Sequence, residues 1–250
     1  MGAARLELVQ GTGPDAPARL LPVATSAPTP TRVRVIDGAL HCIARQGVAG
    51  TTLDDVARAA RCSRATVYRA FPGGKDAVLR AVVDTEVSRF FSALAVRMGE
   101  AADIEDVLVA GMSEAAAEVS GHAALGHVLR HEPELVLPWL AFGRLDEVLA
   151  ATCAFTTPFL GRFLDTAESK RVAEWATRIV VSYLACPAAG VDLTDPAHVR
   201  HLVRQFVLPG IRALSSRPGA RRPAAGVAPH ARVDPAFAAR PIETTKGDVS

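Results

Sequence analysis

The sequence is short of several residue types, and each shortage argues against a class of protein. It contains no asparagine and therefore no N-glycosylation acceptor. Its four cysteines lie far apart without any CxxC pair, which argues against a disulfide framework and a zinc ribbon. We therefore expect reduced thiols and a cytoplasmic location. The cysteines are Cys42, Cys62, Cys153 and Cys186.

Long hydrophobic segments and catalytic motifs are also missing. The longest uncharged apolar runs, residues 148–161 and 179–191, are too short to span a bilayer, and both contain proline. Residues 1–10 carry charges and lack the apolar core of a signal peptide. There is no GxSxG, HExxH or GxxxxGK[ST] motif, and no GxGxxG after a strand. We predict no membrane partner, no enzymatic activity, no cofactor and no metal.

Aromatic residues make up 5% of a chain that is 49% hydrophobic, so the core must be mainly aliphatic. Residues 1–30 and 215–250 are rich in proline and lack periodicity, and we predict that both are disordered tails. Between them apolar residues recur at helical spacing, and no stretch alternates long enough to predict a strand. The predicted fold class is all-α, with Pro158 kinking or dividing one helix. The predicted helices are 32–46, 53–60, 64–71, 75–98, 104–119, 123–131, 135–165, 168–186 and 196–214.

Charge is distributed unevenly, although the net charge is only +2. Residues 32–80 contain nine Lys or Arg against four Asp or Glu, whereas residues 81–214 contain eleven against seventeen. A small basic domain is thus joined to a larger acidic one. We place these domains at residues 31–78 and 79–214.

Residues 50–71 have the pattern of two short helices joined by a tight turn. Thr52 is a favourable N-cap residue, and Asp55 follows three positions later, as in a capping box. Ser63 can cap the second helix in the same way. Two short helices in this arrangement form a helix-turn-helix.

The second helix of this motif has two distinct faces when it is turned by 100° per residue. Val67, Ala70 and Phe71 cluster on the face that would pack inward. Arginine can bind guanine through two hydrogen bonds, and threonine and tyrosine can bind phosphates or base edges. The other face therefore predicts contact with a DNA major groove, the alternative being a solvated surface helix. Its residues are Arg64, Ala65, Thr66, Tyr68 and Arg69.

The segment from Gly50 to Leu79, GTTLDDVARAARCSRATVYRAFPGGKDAVL, resembles the N-terminal region of the TetR/AcrR family of bacterial repressors. The resemblance rests on the three-helix order, on Tyr68 and Phe71 three residues apart, and on Lys75 at the start of the next helix. It implies that Lys75 contacts phosphate, that Thr52 caps its helix, and that the exposed residues of the second helix bind DNA. It also implies that an effector bound in the larger domain shifts helix 75–98 as a lever.

Two apolar stripes in the last two long helices predict a dimer interface. Two copies of this helix pair would bury the stripes in a four-helix bundle, and a two-fold dimer matches a palindromic operator. The same stripes could instead belong to the core of the domain. The predicted interface residues are Trp175, Ile179, Tyr183, Val199, Leu202, Val203 and Phe206.

Large or polar residues in otherwise apolar helices are candidates for an effector site. A mostly apolar lining with a few polar groups is typical of small-molecule pockets, and here it favours a small apolar or aromatic effector. The same residues could equally be plain core. The candidates are His127, Trp139, Phe142, Cys153, Phe155, Thr156, Phe159 and Phe163.

Two further features have simpler explanations than a functional site. His127 and His131 could share a metal from one helix face, but no third ligand stands at the required spacing. Cys62 could act as a redox switch, although a small buried thiol is the simpler interpretation.

We therefore predict a transcriptional repressor that binds a palindromic operator in double-stranded DNA as a homodimer and is released by the effector. One alternative is an activator, or a regulator without a small ligand. The other is a helical ligand-binding or scaffolding protein whose DNA-binding motif is vestigial.

Overall fold

The computed structural model describes residues 5–9, 19–23, 29–136 and 145–215. From residue 29 onward these residues are helical, which confirms the predicted all-α class. The helices are α1 (Pro30–Gly50), α2 (Leu53–Ala59), α3 (Arg64–Ala70), α4 (Gly74–Gly99), α5 (Ile104–Gly121), α6 (Ala123–His131), α7 (Leu145–Leu160), α8 (Thr166–Ala185), α9 (Pro196–Leu202) and α10 (Leu208–Ser215). A 3₁₀ turn (Pro133–Leu135) follows α6, and a π-helical turn (Val203–Val207) joins α9 to α10.

A two-stranded antiparallel hairpin precedes α1, where we predicted a tail without strands. Its strands are β1 (Arg5–Val9) and β2 (Arg19–Val23), with Leu8 opposite Leu20. Charged and apolar residues alternate at the start of β1, but over too few positions for the sequence alone to predict a strand. Pro22 fits in β2 because both strands of a two-stranded sheet are edges. The rest of the two predicted tails lies outside the described residues, apart from residues 29 and 30 and Ser215.

The first three helices and the beginning of α4 enclose a small core of their own. Val35, Val56, Val67 and Phe71 are almost completely buried there. α6 adds Ala124 and Val128 to the same cluster, although it lies more than forty residues beyond the predicted end of the small domain at residue 78. The small core is therefore completed by a helix from the larger domain.

A second core is formed by the rest of α4 together with α5 and α7 to α10. The ring of Phe91 lies 4.7 Å from that of Phe155, which lies 5.3 Å from that of Phe159. Of the helix predicted over residues 135–165, the structure describes α7 over Leu145–Leu160, and residues 137–144 lie outside the described residues. Pro158 does not divide it, because only Phe159 and Leu160 follow it in the helix, so no second helical segment lies beyond the proline.

The helix predicted over residues 196–214 contains a π-helical turn that periodicity could not show. The N–H of Leu208 bonds to the carbonyl of Val203, five residues back. Pro209 follows at once, and its ring would crowd the carbonyl of Gln205 in a regular helix. The wider turn accommodates this proline, so α9 and α10 remain parts of one continuous helical segment.

Candidate nucleic-acid interface

The first helix of the motif, α2, begins with the capping box that the sequence predicted. The hydroxyl of Thr52 accepts a hydrogen bond from the N–H of Asp55, and the Asp55 carboxylate accepts one from the N–H of Thr52, each at 3.2 Å. The hydrogen bonds from Thr52 also lower the pKa of the Asp55 carboxyl. A negative charge is thereby held at the helix N-terminus, where the helix dipole favours it.

The turn after α2 is a Schellman motif built around Arg61. Arg61 has φ 51°, its N–H bonds to the carbonyl of Arg58, and the N–H of Cys62 bonds to that of Ala57. Ser63 then caps α3 by accepting the N–H of Thr66 at 3.2 Å. Both ends of the turn are thus closed by local hydrogen bonds, which fixes the angle between α2 and α3.

Two side chains hold α3 against the small core and leave its opposite face exposed. Val67 and Phe71 are buried, and the guanidinium of Arg32 lies over the Phe71 ring at 4.1 Å and bonds to the carbonyl of Ala70. Thr66 is half-buried. Exposed on the outer face are Arg64, Ala65, Tyr68 and Arg69.

The polar residues of this face bind one another in the free protein. Arg64 pairs with Asp54 of α2 at 2.8 Å, and Arg69 donates to the hydroxyl of Thr66 at 3.3 Å. The hydroxyl of Tyr68, followed by Asp54, raises the pKa of Arg64, so this guanidinium stays charged. Exposed pairs of this kind contribute little stability, so their side chains can be exchanged for DNA contacts at small cost.

Lys75 lies beside the exposed face, and its ammonium group already has partners in the protein. Its Nζ donates to the carbonyl of Val48 at 2.7 Å and to that of Ala49 at 3.4 Å. The sequence did not predict this role for Lys75. An ammonium has three N–H groups, so one remains for a phosphate oxygen.

The carboxylate of Glu132 binds the same two residues as Lys75, through their N–H groups instead of their carbonyls. The sequence did not single out Glu132 as a DNA-binding or positioning residue. Glu132, just after α6, accepts the N–H of Val48 at 2.6 Å and that of Ala49 at 2.7 Å. These amides are available because α1 is interrupted at Gly47, which has φ 75°. A Cβ at this glycine would lie 2.8 Å from the carboxylate. No local pattern could have predicted a contact between residues 84 positions apart.

The beginning of α6 is tied to the small domain by a chain of polar contacts. His122 Nδ1 accepts the N–H of Leu125, so Nε2 carries the proton and donates to Glu86 at 2.9 Å. Arg89 bridges Glu86 at 2.7 Å and Asp37 of α1 at 3.0 Å. α6 is therefore linked to the small domain at both of its ends.

The predicted effector residues that the structure describes differ in their burial. Phe155 and Phe159 are buried in the large core, while Cys153, Thr156 and Phe163 are half-buried. Burial raises the pKa of the Cys153 thiol. The described ranges contain no group of three or more His, Cys, Asp and Glu side chains that could hold a metal ion.

Of the other three effector candidates, the structure describes only His127. His127 is on α6, where its ring lies 4.5 Å from that of His131, in the part of the chain that packs on the small core. Trp139 and Phe142 lie outside the described residues.

The predicted dimer residues divide into two sets. Val199 and Val203 are completely buried in the core of their own chain. Val199 lies on α9 and Val203 begins the π-helical turn, and residues four apart in a continuous helical segment lie on the same face, here the core side. The other five, Trp175, Ile179, Tyr183, Leu202 and Phe206, line an apolar groove of about 280 Å³, and Val203 also contributes to its lining.

Comparison with known proteins agrees with this geometry. Residues 35–82 match a family model described as bacterial regulatory proteins, tetR family. An uncharacterized HTH-type transcriptional regulator of Mycobacterium tuberculosis is 27% identical over 183 residues, or 73% of this chain and 86% of that protein. Within the described ranges no helix is long and apolar enough to cross a membrane.

Two solved structures share the fold. One is the TetR family repressor AlkX from Dietzia sp. strain DQ12-45-1b, implicated in biodegradation of n-alkanes, with TM-score 0.52 and 18% identity over 75% of this chain and 98% of that one. The other is the fatty acid degradation regulator FadR from Bacillus halodurans, with TM-score 0.51 and 23% identity over 73% of this chain and 98% of that one.

Proposed function

We propose, from the match of residues 35–82 to the tetR family model, that this chain is a TetR family transcriptional regulator and a homodimeric repressor of a palindromic operator. The observation that carries the proposal is the exposed face of α3, which presents two arginines and a tyrosine on a helix anchored by buried Val67. Its small Ala65 allows close approach to the groove floor. A helix of this kind reads base edges in the major groove.

Each residue of the interface has a distinct role in this proposal. Arg64 and Arg69 bind base edges or phosphates, while Tyr68 and Thr66 bind the flanking backbone. Lys75 offers its remaining N–H to a phosphate. Thr52 fixes the first helix through its capping box.

A second copy of the chain covers the apolar groove between α8 and the end of α9 with the π-helical turn that follows it. Trp175 and Phe206 are 37% and 65% exposed, although side chains of this size are normally buried. A two-fold dimer through this face carries two copies of α3. Their spacing must match half-sites about one helical turn, roughly 34–36 Å, apart.

The effector in this proposal is a small apolar or aromatic compound that binds in the larger domain. The apolar helices around Phe155 and Phe159, with Cys153 and Thr156 as polar groups, support this choice. Such a compound must bind the DNA-free state more tightly than the DNA-bound state, since otherwise it shifts nothing. The protein then works in the cytoplasm, where its operator is.

The DNA-binding part of the proposal is tested by fluorescence anisotropy with fragments selected from genomic DNA. Binding should weaken steeply as salt rises, because phosphate contacts release counterions. Arg69→Ala should weaken operator binding roughly tenfold or more and relax its sequence preference.

Arg171→Ala is the matched control, since it removes an exposed arginine from α8, far from α3 in the sequence. It should leave operator binding unchanged. If no fragment bound in a salt-dependent way and Arg69→Ala had no effect, the alternative of a vestigial motif would replace this proposal.

A further inference from the structure

Residues 47–51 run from the interruption of α1 at Gly47 to the N-cap of α2. The side chains of Glu132 and Lys75 bind the backbone of this segment. The Glu132 carboxylate accepts the N–H groups of Val48 and Ala49, and the Lys75 ammonium binds their carbonyls. This segment leads directly into the N-cap of α2, so its position sets where α2 and α3 begin.

The two charged groups come from different parts of the chain. Lys75 lies in the first turn of α4, next to the motif itself. Glu132 follows α6, which packs on the small core through Ala124 and Val128. Its carboxylate is therefore a direct polar contact between the larger domain and the backbone that carries the DNA-binding helices.

The contact between Glu132 and the amides of Val48 and Ala49 requires one specific arrangement of atoms. Glu132 is buried, with 9% of its surface exposed, and each carboxylate oxygen binds a different amide. Gly47 supplies both the left-handed backbone that turns the amides outward and the space that the carboxylate occupies. A buried carboxylate is costly unless its hydrogen bonds are made, so this geometry is strongly favoured over a slipped one.

We propose that Glu132 is a positioning residue for DNA binding, which passes the position of α6 to the α1–α2 connection and thereby orients α3. The proposal rests on the DNA-binding function proposed above. A shift of α6 that withdraws this carboxylate releases two amides at once and loosens the start of α2.

The direction of the change in DNA affinity distinguishes a positioning role of Glu132 from an effect of its charge alone. Removing a negative charge near a DNA-binding surface should strengthen DNA binding if charge is all that matters. Loss of the positioning contact should weaken it.

The test uses Glu132→Gln in the full-length protein, with anisotropy on the selected operator at several salt concentrations. We expect affinity to fall about tenfold, in the range usual for coupling between sites, with an unchanged salt dependence because no phosphate contact is lost. Hydrogen exchange should show faster exchange of the Val48 and Ala49 amides.

Glu134→Gln is the matched control, because it makes the same charge change two residues later at an exposed position. It should bind DNA as well as the wild type or slightly better, with unchanged exchange at Val48 and Ala49. Glu132→Asp keeps the charge on a shorter side chain. It should give an intermediate loss of affinity and serves as the second variant if Glu132→Gln folds poorly.

The outcomes are distinguishable. Faster amide exchange without loss of affinity in Glu132→Gln overturns the positioning role and leaves the repressor proposal standing. Unchanged exchange overturns the contact itself. If the wild type binds no DNA, the proposed function fails and this inference fails with it.

Discussion

At Arg61 the backbone adopts a conformation that is unfavourable for a residue with a side chain. It has the one left-handed φ among non-glycine residues in the described ranges, and it does so to complete the Schellman motif that ends α2. A side chain in this conformation costs roughly 1 kcal/mol, which glycine avoids. The turn of the DNA-binding motif is therefore formed at some expense in stability.

Arg61→Gly should raise the free energy of unfolding by about 0.5–1 kcal/mol, because it relieves the left-handed strain while keeping both turn hydrogen bonds. Urea unfolding measures the change. Arg58→Gly, in the last turn of α2, is the control. It should instead destabilise by about 1 kcal/mol, as glycine does within a helix. A destabilised Arg61→Gly would show that the arginine side chain stabilises the turn.

At the level of helices, α5 and α9 are joined by ion pairs around one carboxylate. Glu105 Oε1 accepts from Arg200 at 2.6 Å and from Arg204 at 2.9 Å. The hydrogen bond from Arg204, followed by that from Arg200, lowers the pKa of the Glu105 carboxyl. These contacts fix the end of α9 and the π-helical turn, which border the groove that we propose as the dimer face.

A lowered carboxyl pKa means that the ionised form stabilises the folded state. That stabilisation is complete above the ordinary pKa of 4.5 and is lost as pH falls through the lowered folded value. Glu105→Gln should therefore reduce stability at pH 7 by about 1 kcal/mol or less, since the arginines are partly exposed. The difference from the wild type should disappear in acid.

Urea unfolding between pH 3 and 7 measures this dependence. Glu118→Gln, 13 residues further along α5, makes the same change away from both arginines and should show no such pH-dependent difference. A Glu105→Gln deficit that persisted unchanged at pH 3 would contradict the ionic explanation.

In the whole molecule, two cores share α4, and α6 packs on the smaller one. The smaller core receives Ala124 and Val128 from α6, while the larger core takes Phe91 and Leu94 from the second half of α4. A displacement of α4 therefore affects the packing of both cores. The exposed groove at α8 and α9 lies on the larger one.

Phe206→Arg should convert the proposed dimer to a monomer, because it places a charge at the most exposed aromatic of the groove. Light scattering after size exclusion measures the mass. Operator affinity should fall steeply, since one copy of α3 reaches only one half-site. Val83→Arg is the control, as it adds the same charge at an exposed valine of α4 outside the groove. A Phe206→Arg variant that stayed dimeric would locate the interface elsewhere.

Much of the fold and of α3 could be predicted from sequence. The caps at Thr52 and Ser63 and the inward face of Val67 depend on residues three or four positions apart, so their pattern is readable along the chain. The sequence did not predict which residues of the apolar stripes belong to the core and which remain exposed. Val199 is core and Phe206 is exposed, although both lie on the same apolar segment. Periodicity identifies an apolar face but not what covers it.

The sequence by itself thus determined the helices, the helix-turn-helix and its exposed basic face, because these follow from local hydrogen bonds and side-chain spacing. The tertiary structure alone decided that Lys75 binds backbone carbonyls, that Glu132 binds the amides of Val48 and Ala49, and that α6 completes the small core. Those contacts join residues 27 and 84 positions apart. Their geometry depends on how whole helices pack, and no spacing along the chain contains that information.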